Sequence, residues 1–281
     1  MGPQFNTPVS FEFFPPHDES GRDKLAAGTA EKLAALQPRY FSVTYGAGGS
    51  TKEGTKQTVT DLTKRGWQAV PHLSVGAADQ AEVLDLVTYY KTMGVTKIRC
   101  LRGDQTEYES QNPQYAEDLV RLIRQHFGDH FEVVVGAYPE VHPDSSSSQE
   151  DLAFFKRKVD AGADVAITQY FYNIEAYEYF VQQCQNLGID IPIIPGVMPI
   201  TSYASLCRFS EKAGADIPRW LDRAMAQHQD SEHDLSKFGV EVVTRLCERL
   251  IDLGAPALHF YTLNRWGAAT KICANLGLTA S

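Results

Sequence analysis

The chain has 281 residues, 43% of them hydrophobic, and a formal net charge of -9. That acidity, with no basic stripe to offset it, disfavours a phosphate-backbone partner. No apolar run approaches the ~18 residues a membrane span needs, and no basic-then-apolar opening suggests a secretory signal.

Eight short apolar or β-branched runs alternate with helix-like stretches. The predicted strands fall near 9–14, 40–46, 68–75, 97–104, 131–139, 165–172, 192–200 and 257–264. Between them, 22–36 carries Leu25, Ala26, Leu33 and Leu36 at helical spacing before Pro38. Segment 79–93 repeats the pattern before Gly94, 115–127 before Gly128, 149–160 before Gly162, 174–187 before Gly188, and 238–253 before Gly254. The stretch 215–237 reads as irregular, with a short extra helix from Arg219 to Gln227. The alternation predicts an α/β protein, a single-domain (β/α)8 TIM barrel over 1–281. Its strand-to-helix loops (15–21, 46–54, 103–113, 139–148) are longer and more polar than its helix-to-strand turns. Chemistry is therefore expected at the C-terminal ends of the strands.

The five cysteines (Cys100, Cys184, Cys207, Cys247, Cys273) are odd in number and form no C-x-x-C pair. They read as free thiols in a reducing compartment, with the cytoplasm the expected location. Neither they nor the histidines show metal-ligand spacing, so no metal is expected; His228 and His233 read as solvent groups. Gly46-Ala-Gly-Gly-Ser-Thr51 lacks the third glycine of a dinucleotide fingerprint and the lysine of a P-loop. It remains a loop that lets a ligand approach the backbone.

Glu12 sits among Phe11, Phe13 and Phe14 in the first strand. A carboxylate there is either an ion pair at the barrel mouth or a carboxyl with a raised pKa, able to act as a general acid near neutral pH. Asp104 ends the fourth strand in the same ring of positions, unless it caps or pairs with Arg102. His72, ending strand three, is a structural donor or a site residue. Lys156-Arg157-Lys158 is a solvated face or an anion clamp. Thr168-Gln169-Tyr-Phe-Tyr-Asn173 is a packed strand end, or an amide reading a heterocycle edge beside aromatic rings.

Taken together, Ser10-Phe-Glu-Phe-Phe-Pro-Pro16, Ser42-Val-Thr-Tyr-Gly46, Pro71-His-Leu73, Leu101-Arg-Gly-Asp104, Ala137-Tyr-Pro-Glu-Val-His-Pro143, Lys156-Arg-Lys-Val-Asp-Ala-Gly-Ala163, Ile167-Thr-Gln169, Ile194-Pro-Gly196 and His259-Phe-Tyr-Thr-Leu-Asn-Arg265 resemble the bacterial methylenetetrahydrofolate reductases. The resemblance runs in order almost end to end. It implies a flavoprotein barrel that uses FAD and NADH or NADPH to reduce methylenetetrahydrofolate to methyltetrahydrofolate by a ping-pong route, in one-carbon metabolism and methionine supply. Glu12 matches the family's general acid and Asp104 the carboxylate beside flavin and folate. Thr44, Tyr45, His72, Arg102, Gly103, Asp104, Ala116, Tyr138, His142, Asp151, Arg157 and Lys158 fall on flavin-contacting positions. Gln169 and Arg265 match folate contacts, and Phe209 an aromatic that stacks on the substrates. Ala163 matches an alanine whose replacement loosens flavin retention. Phe154 and Ser205 depart from polar contacts to flavin and folate. The resemblance also implies a homo-oligomer with small-molecule substrates and no nucleic-acid or membrane partner. The adenosylmethionine-binding region of the eukaryotic enzymes has no counterpart here, so no such feedback is expected.

Overall fold

The computed structural model describes residues 6–45, 52–74, 80–102, 115–228 and 231–278. Eight parallel strands close in chain order into a barrel: β1 (Val9–Phe13), β2 (Phe41–Val43), β3 (Ala69–Ser74), β4 (Lys97–Leu101), β5 (Glu132–Ala137), β6 (Val165–Tyr170), β7 (Ile193–Val197) and β8 (Leu258–Tyr261). Closure pairs the first strand with the last, setting Ser10 opposite His259 and Glu12 opposite Tyr261. The (β/α)8 expectation is therefore met. Several strands are shorter than the β-prone runs that announced them: 40–46 contracts to Phe41–Val43, and 257–264 to Leu258–Tyr261. The remaining polar and aromatic residues of those runs leave the ladder at the rim.

The helices are α1 (Glu19–Lys24), α2 (Glu31–Ala34), α3 (Lys52–Lys64), α4 (Gln80–Thr92), α5 (Ala116–Phe127), α6 (Ser148–Asp160), α7 (Ile174–Asn186), α8 (Tyr203–Ala213), α9 (Arg219–His228), α10 (Glu232–Asp252) and α11 (Gly267–Asn275). α1 and α2 are joined by a π-helical turn, Leu25–Ala30, inside what the sequence predicts as one helix over 22–36. The extra helix from Arg219 is present as α9. α10 begins earlier than the predicted 238: Ser231 caps it by accepting the Asp234 N–H, and Leu235 is already buried. His228 is not a free solvent group, since its ring lies 5.2 Å from that of Phe238. Turns from helix to strand pass through left-handed backbone at glycine, as at Gly94 (φ +81°) and Gly254 (φ +84°).

Alternation along the strands divides the side chains between two cores. Outward-facing Phe11, Phe13, Phe41 and Phe260 pack beneath the helices; Phe13 and Phe41 stack at 5.2 Å and Trp67 meets Phe41 edge-on at 5.5 Å. Burying each such ring contributes about 2–3 kcal/mol. The inward-facing residues split by side of the barrel. Val134, Val165, Ile167, Ile194 and Ala257 form an apolar cluster. Across from it, β8 and β1–β4 present Ser10, Glu12, Ser42, His72, Arg99 and His259, all largely withdrawn from solvent. That polar crescent is where chemistry can be concentrated.

Candidate active site

Glu12 is the hub of the crescent. Its Oε2 accepts from Arg99 Nη1 at 2.7 Å, from His259 Nε2 at 3.2 Å and from Ser42 Oγ at 3.3 Å. His72 Nε2 lies 3.3 Å from the same oxygen, near enough to pair but poorly aligned to donate. His259 Nδ1 meets Ser10 Oγ at 2.7 Å, so Ser10 donates there and His259 carries its proton on Nε2. Arg99 Nη2 reaches the Tyr261 hydroxyl at 3.4 Å, and that hydroxyl donates to the Thr168 carbonyl at 2.6 Å.

The charge state of Glu12 differs from one sequence expectation. Burial alone would push the carboxyl up, but His72, Arg99 and the His259 N–H outweigh it and hold Glu12 well below the usual carboxylate value. The raised-pKa reading is thus corrected. The ion-pair reading holds, with Arg99 as the partner. Burial in turn lowers His72 to about 4 and lowers His259, so both rings are neutral near pH 7.

One short segment after and within β8 fixes this end of β1. Thr262 Oγ1 donates to the Glu12 carbonyl at 2.7 Å. The Asn264 amide accepts from Phe14 N and donates to Phe14 O, both at 2.9 Å, in the manner of a neighbouring strand. Thr29, in the π-helical turn, donates to the Asn264 carbonyl at 3.1 Å. Leu263 and Asn264 both take positive φ (50° and 58°), costly for the leucine, immediately before exposed Arg265. His259-Phe-Tyr-Thr-Leu-Asn-Arg265 is therefore a clamp on the strand that carries Glu12.

A second group gathers at the rim after β4 and β5. The Tyr138 and His142 rings meet edge-on at 4.4 Å. Asp151 accepts from His142 N and Ser145 Oγ, both at 3.2 Å, and so ties down the β5–α6 loop. Arg102 pairs with Asp144 at 2.5 Å. Lys158 Nζ donates to the Gly136 carbonyl at 2.6 Å; burial pulls its pKa down to about 8 against the opposing fields of Asp151 and Glu117. Arg157 pairs with Glu117 at 3.0 Å and lies 4.2 Å above the Phe154 ring, which stacks on Tyr115. Thr44 Oγ1, at the end of β2, is buried with no hydrogen-bond partner among the described residues. Val141 sits at φ +70°, strained for a β-branched residue, between Glu140 and His142. Burial pushes Glu140 up to about 7; its Oε2 accepts from Asp216 N at 2.9 Å and its Oε1 has no partner among the described residues.

A model of the methylenetetrahydrofolate reductase family matches residues 3–277. The chain belongs to the methylenetetrahydrofolate reductase family. It is 36% identical over 271 residues to the 5,10-methylenetetrahydrofolate reductase of Escherichia coli, covering 96% of this chain and 90% of that one. It is 37% identical over 272 residues to the Salmonella typhimurium protein of the same name, at the same coverage. A probable methylenetetrahydrofolate reductase (NADH) of Oryza sativa is 35% identical over 288 residues, covering 97% of this chain and 48% of the rice protein. Among solved structures, an uncharacterized Clostridium thermocellum protein that binds two copies of 5-methyl-5,6,7,8-tetrahydrofolic acid shares the fold, with TM-score 0.66, 18% identity and coverage of 97% and 93%.

Within this methylenetetrahydrofolate reductase barrel, the expected site residues are spread over several places. Glu12 and His72 meet inside the barrel, and Thr44 hydrogen-bonds through its N–H to the Phe13 carbonyl at 2.9 Å. Tyr138, His142, Asp151, Arg102 and Lys158 share the β4–β5–α6 rim, with Ala116 at the start of α5 beside the Glu117–Arg157 pair. Gln169 follows the residue whose carbonyl anchors Tyr261; its own side-chain oxygen accepts from Tyr170 N at 3.1 Å. Phe209, half-buried on α8, precedes Ser210, which bonds to Tyr170 at 3.0 Å and joins α8 to β6. Tyr45 lines a separate cavity of about 310 Å³ between α3 and α4. Ser205 N is spent on the Ser202 cap of α8. Gly103, Asp104 and the whole glycine loop 46–51 lie outside the described residues, as does any Asp104–Arg102 contact. Sequence reasoning gave no individual role to Arg99, His259, Tyr261 or Glu140. The first three had a visible signal: polar side chains on apolar strands, facing inward like Glu12. No described helix is long and apolar enough to cross a membrane.

Proposed function

We propose that the chain reduces 5,10-methylenetetrahydrofolate to 5-methyltetrahydrofolate with electrons from NADH or NADPH, through bound FAD, the two substrates alternating in ping-pong fashion. The observation that carries this reading is the Glu12 carboxyl, buried within the barrel at the end of β1 and held by Arg99, His259 and Ser42. FAD would supply the electron-pair transfer between nicotinamide and folate. Thr44, Tyr45, His72, Arg102, Gly103, Asp104, Ala116, Tyr138, His142, Asp151, Arg157 and Lys158 would hold it. The described members of that set suit such a group. The buried Thr44 hydroxyl lacks a partner among the described residues, and Lys158 with Arg102 and Arg157 offers cations to a pyrophosphate. Gln169, Phe209 and Arg265 would bind the folate.

Glu12 is then the proton donor. Its carboxylate takes up a proton from solvent hydronium, releasing water, and the carboxyl so formed passes that proton to the ring nitrogen of the substrate. The N–H bond forms as the carbon–nitrogen bond of the five-membered ring opens, leaving a cationic iminium carbon. The carboxylate so regenerated, still paired with Arg99, favours that cation electrostatically. Because Glu12 is held below the usual value, its protonated form becomes scarcer as pH rises, and the folate half-reaction is expected to slow with increasing pH.

The direct test is the absorption spectrum of the purified protein. Flavin bands that bleach with anaerobic NADH or NADPH and return on adding methylenetetrahydrofolate support the reading. A protein that binds FAD yet is neither reduced by either nucleotide nor reoxidised by the folate refutes it. Lys158 offers a second check. Its ammonium is lost as pH rises through about 8 unless an anion holds it. FAD affinity is expected to weaken above that pH, and Lys158→Met to weaken it roughly tenfold at neutral pH. Equal FAD dissociation constants across this range in both proteins would remove Lys158 from the site.

A further inference from the structure

The barrel interior holds more charge than a proton donor alone requires. Glu12 is faced by Ser42 from β2, His72 from β3, Arg99 from β4, and His259 with Tyr261 from β8. Farther out, Tyr40, Tyr138 and Lys158 feel the field of Arg99, and Lys97 acts on His259. Both imidazoles are neutral near pH 7, as argued above. Among the described residues, Arg99 is thus the permanent cation in contact with the carboxylate. The guanidinium is itself braced: Nη2 meets the Tyr261 hydroxyl, which is anchored on the Thr168 carbonyl. Its Nε has no acceptor among the described residues. A buried ion pair is weak evidence for stability, and an unpartnered guanidinium N–H makes it weaker still. The arrangement is better explained by what it does to the carboxylate.

We propose that Arg99 is a positioning residue for Glu12: braced through Tyr261 against β6, it fixes the carboxylate inside the barrel and governs how readily that carboxyl acquires the proton it hands to the substrate. This rests on the reading of Glu12 as proton donor. Without the guanidinium, burial is opposed only by the field of His72 and by the His259 and Ser42 hydrogen bonds, and the carboxyl keeps its proton to higher pH.

The test uses the flavin-loaded holoenzyme, reduced anaerobically. Its reoxidation by methylenetetrahydrofolate is followed from about pH 5.5 to about pH 9 in the parent, Arg99→Met, Arg99→Lys and Glu12→Gln proteins. Arg99→Met is expected to move the fall in rate upward by about one pH unit or more, and Arg99→Lys to return it towards the parent position. A ¹³C NMR titration of the Glu12 carboxyl in ligand-free protein, assigned by its loss in Glu12→Gln, is expected to move the same way without turnover. If both profile and titration stay put in Arg99→Met while Glu12→Gln remains unreactive towards folate, the inference is overturned and the proton-donor reading stands. Undiminished folate reactivity in Glu12→Gln overturns both. Should Arg99→Met fail to fold, Tyr261→Phe removes the brace alone. It is expected to shift the profile in the same direction by less, and an unshifted profile there overturns the inference.

Discussion

Glu12→Gln is expected to lower the rate of the folate half-reaction by about 10²- to 10⁴-fold, the usual share of a general acid, while flavin reduction by NADH or NADPH proceeds at close to its parent rate. The asymmetry follows from where a proton is needed. Opening the folate ring requires a new N–H bond, whereas electron transfer from the nicotinamide does not draw on Glu12. The amide keeps an oxygen to accept from Arg99, but it has neither an acidic proton nor a negative charge. The Arg99, His259 and Ser42 donors all meet one carboxylate oxygen, Oε2, so the amide oxygen can stand there, but the buried guanidinium then faces a neutral group. Some loss of stability is expected with that mismatch, so thermal unfolding should accompany the kinetics. Single-turnover measurements of each half-reaction decide the matter: equal losses in both would place Glu12 in general architecture and not in proton transfer.

The second large effect is expected at Gly196, on β7. A Cβ there would stand 2.3 Å from the Thr168 carbonyl oxygen, 2.5 Å from a Tyr261 ring carbon and 2.9 Å from its hydroxyl. No side-chain atom tolerates such distances, and the oxygen belongs to backbone. Gly196→Ala must therefore push Tyr261 off its anchor and spread β6 from β7. The overpacking costs about 1–3 kcal/mol, and the lost buried hydrogen bond about 1 kcal/mol more. For a chain of this size the melting temperature should fall by on the order of 5–10 °C. The pH profile of the folate half-reaction should move upward as in Tyr261→Phe, because Tyr261 no longer braces Arg99. Gly28→Ala is the matched control: nothing lies within 4 Å of its Cβ, and little change is expected. A Gly196→Ala protein as stable as the parent, with the same pH profile, would show that the Tyr261 contact carries no weight.

Much of the architecture was legible because each strand is a short apolar run and most helices end at a glycine. What was not legible has identifiable causes. α3 (KEGTKQTVTDLTK) buries Thr55 and Thr58 beside Val59 and Leu62, so half of its inner face is written in threonine and shows little apolar periodicity. In α8 the residues that are buried are Leu206 and Ser210, again a mixed signal. The π-helical turn left no mark because its six residues pack like any helix, and only the Thr29 bond to Asn264 reveals its use. At the site, Glu12 was legible as a carboxylate in the wrong place, since an acid between phenylalanines demands an explanation. Its charge state was not, because that depends on Arg99 and His259, distant in sequence and brought close only by closure of the barrel. The parity of residues along β4 and β8 would have nominated both. Asp151 was legible only through the family resemblance, as a flavin-contacting position, and its visible work is to hold the His142 loop by two hydrogen bonds.

The clamp formed by Thr262 and Asn264 has a consequence for how the molecule is made. Glu12 precedes all of these partners in the chain, and His259 and Thr262 follow it only 247 and 250 residues later. Contacts across so long a sequence separation form late, after the loop between them has been ordered. While the ribosome is still working, the acidic strand waits without the partners that follow from β8. Sealing the cylinder and finishing the reactive centre are thus one event in the life of the newborn protein, and a chain released before its eighth strand would have neither.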